Sequence, residues 1–289
     1  MQKTLKKARW FTVFVVPTLL AFLASFLAPF LMGIYLSFCK FTTVTNARWV
    51  GLDNYLRVFT DPGGDFAHAL GFTALFTVVS VVTVNLFAFA LALLLTRGLR
   101  GTNLFRTVFF MPNLIGGIVL GYIWQIIING VLLGFGVDIT FDAKYGFWGL
   151  VVLMNWQLIG YMMIIYIAGL QNVPPELIEA AEIDGANAWQ RFWHVTFPSM
   201  TPIIFYNMLM SLITNMQVVT PALALTKGGP GKSSYFMSYM LYNYAFKQRG
   251  KIGLACAIAF VLFLLIGAFT LLLFATSKSW IFYEGGDDK

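Results

Sequence analysis

The sequence predicts an all-α membrane protein that crosses the bilayer six times. Three observations carry that expectation. Of the 289 residues, 59% are hydrophobic, where an ordinary globular chain holds roughly 45–50%. Only 11% are charged, against about 25% in soluble domains. Six runs contain no Asp, Glu, Lys or Arg: Phe11–Phe38, Ala69–Leu95, Thr107–Ile128, Phe147–Leu170, Thr201–Leu225 and Ile252–Thr276. Each is long enough to cross about 30 Å of hydrocarbon as a helix. None alternates apolar and polar residues as a barrel strand would. A soluble fold cannot hide this much apolar surface, so disorder, a coiled coil, a disulfide scaffold and a cytosolic enzyme are all excluded.

The first run is too long for the core of a cleaved signal peptide, and no A-x-A-like site ends it, so it reads as a retained anchor. Ahead of it stand Lys3, Lys6, Lys7 and Arg9 with no acid. The loop after the second run carries Arg97, Arg100 and Arg106, again with no acid. The first loop balances Lys40, Arg48 and Arg57 with Asp53, Asp61 and Asp65, and the third sets Lys144 against Asp138 and Asp142. Lysine and arginine favour the cytoplasmic side, so the N-terminus is expected inside, and six spans return the C-terminus there. The later loops do not sharpen this: the fourth holds Arg191 alone, while the fifth holds Lys227, Lys232, Lys247, Arg249 and Lys251. That fifth loop is also rich in aromatics (Tyr235, Phe236, Tyr239, Tyr242, Tyr244 and Phe246). They fit an interfacial belt; alternatively, its lysines meet acidic patches on an incoming protein. Pro17, Pro29, Pro112 and Pro221 fall inside runs, where membrane helices tolerate them. By organisation, residues 1–66 form a tail, the first helix and an outer loop. Residues 67–277 form a core of five helices that includes the 171–200 loop, and residues 278–289 a cytoplasmic tail.

The absences are informative. No run contains a carboxylate or fixed cation, so nothing forms a proton relay at mid-membrane. No phosphate-binding G-x-x-x-x-G-K-[ST], H-E-x-x-H or G-x-S-x-G stretch is present. Cys39 and Cys256 lie far apart and suggest neither a disulfide framework nor a metal site. The net charge of +7 is spread between apolar runs, as membrane-edge anchoring requires, and does not point to nucleic acid. A polytopic chain without energy-coupling chemistry is a channel, or a conduit driven by another subunit.

The loop over residues 171–200 breaks the pattern. Pro174 and Pro175 suit a helix start, and Glu176 and Glu179 fall in or near the first turn, where the helix dipole favours acid. Glu176, Glu179 and Glu182 recur every three residues as one acidic stripe. Gly185 is a break, and a second short helix carries Trp189, Phe192, Trp193 and Val195 up to Pro198. A helix lying on lipid would prefer Lys and Arg on its polar face, whereas this loop has four acids and one arginine. A protein partner fits it better.

Glu179-Ala180-Ala181, then Gly185, then Val195-x-Phe197-Pro198 resembles the EAA loop (E-A-A-x-x-x-G-x9-I-x-L-P) of permease subunits in binding-protein-dependent ABC importers. Val195 and Phe197 are mild departures from that pattern. Trp49-Val-Gly-Leu-Asp-Asn-Tyr55, Thr226-Lys-Gly-Gly-Pro230 and Tyr242-x-x-Ala245-Phe246 look like segments of the carbohydrate-type permeases, closest to the maltose and glycerol-phosphate kind. The resemblance covers nearly the whole chain. It implies a type I ABC importer permease, not itself an enzyme and holding no cofactor. Its partners would be a second similar permease, two ATP-binding subunits and an extracytoplasmic solute-binding protein, in the inner membrane of a prokaryote. It further implies that Glu179, Ala180, Ala181, Asp184 and Gly185 couple to the ATPase. The alternatives are an ABC permease for another solute class, or an autonomous transporter or channel.

A pathway for a hydroxyl-rich solute calls for uncharged donors and acceptors with aromatic faces. Gln157 and Tyr161 are an i, i+4 pair in the fourth run. Ser211, Asn215 and Val218 share one face of the fifth, with Thr214 beside them. These faces match helices that line the sugar site in the maltose-type permease, although Met154, Leu158 and Val218 are apolar where polar or smaller residues are expected. The competing reading is that Ser211 and Asn215 join helices by hydrogen bonds. Asn85, Gln125 and Asn155 are read as packing residues of that kind.

Overall fold

The computed structural model describes residues 10–60, 65–248 and 250–282. The basic residues Lys3, Lys6, Lys7 and Arg9, and with them the predicted N-terminal tail, lie outside the described residues, as do Asp61, Arg249 and most of the 278–289 tail.

In chain order the helices are α1 Trp10–Ser37, α2 Asp53–Phe59, α3 Asp65–Leu95, α4 Thr102–Phe110, α5 Gly117–Leu132, α6 Ala143–Gln171, α7 Pro175–Ile183, α8 Ala188–Arg191, α9 Phe197–Met216, α10 Thr220–Leu225, α11 Met237–Tyr242 and α12 Ile252–Ser277. Two-residue strands β1 Cys39–Lys40 and β2 Arg48–Trp49 pair antiparallel, with Cys39 opposite Trp49. The chain divides into two compact units, Met1–Gly63 with Leu241–Leu262, and Gly64–Met240 with Phe263–Lys289.

In the first unit α1 contains a widened π turn at Leu23–Leu27, where the Ala28 amide donates to the Leu23 carbonyl. Pro29 lacks an N–H and would press on the carbonyl one turn back; a skipped hydrogen bond just ahead of it relieves both conflicts. The same device recurs at Phe192–Thr196, two residues before Pro198. The Trp49–Tyr55 stretch clamps the end of α1. Trp49 stacks on Phe38 with ring centres 5.2 Å apart, and Gly51 takes the left-handed φ of +59°. The buried Asn54 amide donates to the Ser37 and Cys39 carbonyls at 2.8 and 2.9 Å. Tyr55 shares a 2.6 Å hydrogen bond with Ser37. Gly253 lies so close to the Cys39 carbonyl that a side chain there would collide with it.

In the second unit α6 is the most buried spanning helix, packed against α3, α4, α5, α9 and α10. Small residues make this possible. Ala69, Thr73, Ser80, Ala88 and Ala92 lie on the buried side of α3, and Gly160 of α6 admits the backbone of Phe109 and Phe110. Close approach of this kind drives helix association in lipid, where the hydrophobic effect gives no help.

Three expectations need correction. The predicted continuous third span is two half-helices, α4 and α5, separated by a tight turn at Met111–Leu114 and extended Ile115. Pro112 and the Gly116–Gly117 pair weaken the ladder there. The predicted fifth span is α9 followed by a break at 217–219 and then α10, with Pro221 in its first turn. Among the described residues, five helices are long and apolar enough to cross a membrane, and α9 is not among them, because Ser199, Thr201, Asn207, Ser211, Thr214 and Asn215 dilute its apolarity. Four of the six aromatics of the fifth loop are folded inward, while Tyr242 and Phe246 are left half-buried and exposed. Tyr235, Phe236, Tyr239 and Tyr244 are buried, and Phe236 sits edge-on to Phe72 and Phe76, each 4.9 Å away.

The Gly160 contact is testable. Gly160→Ala forces the Phe109 backbone away and should cost about 1–3 kcal/mol, the usual range for overpacking, read as a lower Tm of the detergent-solubilised protein. Gly33→Ala, where an added methyl meets nothing within 4 Å and alanine is the better helix former, should not lower Tm.

Candidate functional site

The loop after α6 folds as the predicted pair of short helices. Pro174 is extended and Pro175 opens α7, where its missing N–H costs nothing. At the far end Gly185 adopts φ +81°. Its amide donates to the Glu182 carbonyl at 3.0 Å, and the Ala186 amide to the Ala181 carbonyl at 2.9 Å, which together form the two-bond left-handed helix cap. Asn187 and Gln190 then cap α8 reciprocally, each side chain accepting from the other's amide at 2.9 and 2.8 Å. Arg191 bridges back to Glu182 at 2.8 Å. The bend is therefore bonded on both sides of Gly185 and has one shape.

Glu179, Ala180, Asp184 and Gly185 lie exposed on this hairpin, and Ala181 is half-buried. Of the acidic stripe, Glu182 is held by Arg191, while Glu176 and Glu179 face outward. Beside them Ile183 is 86% and Trp189 70% exposed. Covering such a side chain is worth roughly 1.5–3 kcal/mol, so the tip is an acidic, apolar surface suited to a partner.

The root of the hairpin is anchored firmly. Phe192 reaches Phe89 of α3 at 6.2 Å, and Trp193 packs on Phe197 at 5.0 Å. A cleft of about 230 Å³ separates Asn172, Val173 and Pro174 from Ser199 and Pro202, and Phe282 lines it too. The Phe282 amide donates to the Thr201 hydroxyl at 2.9 Å, and the Trp280 ring lies 6.1 Å from Phe205. The segment after α12 thus grips the root of the hairpin.

Within the spans a polar knot ties three helices. The Tyr166 hydroxyl donates to the Asn85 side-chain oxygen at 2.7 Å, and the Asn85 amide donates to the Ser211 hydroxyl at 2.9 Å. Asn207 donates to the Met162 carbonyl at 3.1 Å. Ser211 is therefore buried and bonded across to α3. Asn215 donates to the Ser211 carbonyl at 2.8 Å, and its own side-chain oxygen is buried without a partner among the described residues, as are those of Asn155 and Asn207. Thr214 is exposed and bonded to the Met210 carbonyl. Gln157, half-way along α6, points to the break in the third span and reaches the Ile115 carbonyl at 3.5 Å; Tyr161, also half-buried, lies one turn on. The structure thus sets Ser211 toward α3 and Gln157 toward the broken helix.

The broken helix was not anticipated from the sequence; its signal was Pro112 followed by Gly116-Gly117. Nor was the grip of Trp280–Phe282. On the loop side, the Thr226–Pro230 segment folds inward. The Gln125 amide donates to the Leu225 carbonyl at 3.1 Å, and the Tyr239 hydroxyl to that of Lys227 at 3.1 Å. A side chain at Gly229 would meet the Thr140 carbonyl at 2.7 Å. Lys232 pairs with Asp65.

Residues 85–279 match the family described as "Binding-protein-dependent transport system inner membrane component". The chain belongs to that family. This permease component is 36% identical over 279 residues to the "Probable starch degradation products transport system permease protein AmyD" of Thermoanaerobacterium thermosulfurigenes, covering 93% of this chain and 94% of the relative. It is 32% identical over 290 residues to the "Multiple sugar-binding transport system permease protein MsmF" of Streptococcus mutans, covering 97% and 99%. In fold it is similar to a bacterial ABC transporter involved in the import of the acidic polysaccharide alginate, with a TM-score of 0.80, 19% identity, and 96% of this chain and 98% of that one covered. The permease is a transport component of the inner membrane, not an enzyme.

One titration follows from the turn between α5 and α6. The Thr140 hydroxyl and amide donate to the Asp138 carboxylate at 2.6 and 2.7 Å. With Asn129 and the charge of Lys227, they hold Asp138 below the usual carboxylate range, against a smaller opposing effect of burial. A lowered folded value means that the stabilisation is complete above the ordinary carboxylate pKa and fades as pH falls through the lowered one. Asp138→Asn should therefore lower Tm at neutral pH, and the gap to the unaltered permease should narrow as the medium is acidified below the carboxylate range.

Proposed function

We propose that this permease forms half of the translocation pathway of an ATP-driven ABC importer for a carbohydrate or related polyol. The observation that carries the proposal is the exposed, singly shaped hairpin with Glu179, Ala180, Ala181, Asp184 and Gly185 at its bend. One of two ATP-binding subunits docks there, the other on the second permease. Ala180 and Ala181 allow close approach, Glu179 and Asp184 offer acceptors, and Gly185 sets the angle. A second homologous permease completes the pore, an extracytoplasmic binding protein delivers the solute, and lipid surrounds the whole. ATP is held by the partner subunits, and this chain carries no cofactor of its own. Both termini lie in the cytoplasm, and the 67–277 core carries the coupling.

Movement imposed on the hairpin reaches the pathway through α6 and α9, between which it is strung. The Asn85–Tyr166–Ser211 knot carries α3 with them. Gln157, Tyr161, Ser211, Thr214 and Asn215 contribute uncharged groups to the solute path, with Gln157 and Tyr161 beside the opened backbone at 111–116. Uncharged donors and acceptors suit a hydroxyl-rich solute that must be released as readily as it is bound. The sugar class is supported by the relatives named above.

Glu179→Lys reverses the charge of the docking face. Gly185→Val places a β-branched residue in the left-handed region at about 1–2 kcal/mol or more. In vesicles bearing the full importer, either variant should cut labelled-solute uptake at least tenfold while its level in the membrane is unchanged. Normal uptake by both would remove the docking model. Ligand binding by the cognate binding protein tests the solute class separately: a carbohydrate ligand is expected, and an amino acid or peptide would overturn the sugar reading while leaving the docking intact.

A further inference from the structure

We propose that the turn joining α3 to α4 is a binding site for the phosphate of an anionic phospholipid headgroup, held by Arg97, Arg100 and Arg106. The turn is short and defined. Gly98 and Gly101 take φ of +73° and +82°, and the Thr102 hydroxyl donates to the Leu99 carbonyl at 2.6 Å. Because α3 is apolar to its last residue, Leu95, this turn emerges at the depth of the headgroups. Arg97 and Arg100 are exposed on it. Arg106 lies just over one helical turn into α4, half-buried, its Nε enclosed with no hydrogen-bond acceptor among the described residues. None of the three makes an ion pair among the described residues. No Asp or Glu occurs between Asp65 and Asp138, so no nearby carboxylate in the sequence competes for them.

What covers the turn follows from its flanks. Leu94, Leu99, Leu104, Phe105 and Val108 are all exposed around the arginines. An acidic protein face would leave these apolar side chains uncovered, whereas a phospholipid meets the guanidiniums with its phosphate and the leucines with its chains. All three cations are arginine, whose planar fork matches phosphate oxygens in pairs. The site depends only on the turn lying at the membrane surface, not on ATPase docking at the hairpin.

The test uses the complete importer in nanodiscs of phosphatidylcholine with or without phosphatidylglycerol, with retained lipid counted by native mass spectrometry. The unaltered importer should retain phosphatidylglycerol in preference to phosphatidylcholine. The Arg97→Gln/Arg100→Gln variant should bind it about fivefold more weakly per arginine removed. Arg97→Lys/Arg100→Lys, which keeps the charge but not the fork, should fall between. Equal retention of phosphatidylglycerol by the glutamine variant, or no preference in the unaltered importer, would overturn the site. So would a stoichiometric carbodiimide cross-link from the new lysines to a carboxylate of a partner subunit, which would put an acidic protein face there.

Discussion

At the depth of the hydrocarbon there is no water to take up an orphaned carbonyl or amide, and every irregularity in this chain is shaped by that fact. Each place where a spanning helix departs from regular geometry is met by a compensating group. The opened backbone at Ile115 receives Gln157. The end of α1 receives Asn54. Pro29 and Pro198 are each preceded by a widened turn that removes the conflict their rings would cause. Asn85, polar and deep in α3, is satisfied by Tyr166 and Ser211. The side-chain oxygens of Asn155, Asn207 and Asn215 stand apart as buried acceptors with no donor among the described residues.

Outside the hydrocarbon the constraint changes. The hairpin between α6 and α9 satisfies its own backbone, through the Gly185 cap and the Asn187–Gln190 pair, and leaves apolar side chains such as Ile183 and Trp189 uncovered. Inside the membrane most polar groups are paired and the exposed apolar ones face lipid; at the hairpin the backbone is paired and apolar side chains stand uncovered. A bend with a single shape, rooted in Phe89, Phe197 and the Trp280–Phe282 segment, transmits displacement better than a flexible loop would.

Much of this was legible in the chain because lipid leaves a compositional trace. Long uncharged runs locate the helices, and the prolines, acids and Gly185 of residues 171–200 announce two short helices. Breaks within spans were harder to see. Proline is tolerated in membrane helices, so Pro112 alone does not tell a kink from an interruption; only the Gly116–Gly117 pair adds to it. The inward course of Tyr235, Phe236, Tyr239 and Tyr244 was not legible because residues at a lipid interface and residues folded into a core have the same composition. What distinguishes them is the inward path set by Gly228 and Gly229, a tertiary matter. For Ser211, both expected uses lie on the same helical face, and its hydrogen-bond partner Asn85 is distant in sequence.

The widened turn at Phe192–Thr196 sets a phase relation as well as relieving a proline. One surplus residue in a helix rotates everything on one side of it by about 100° relative to the other. The angle between the acidic hairpin and the Ser211–Asn215 face of α9 is therefore fixed by a single residue count. Exchanging side chains on either side of that turn leaves this angle unchanged, but shortening it by one position would point the same surface at a different neighbour.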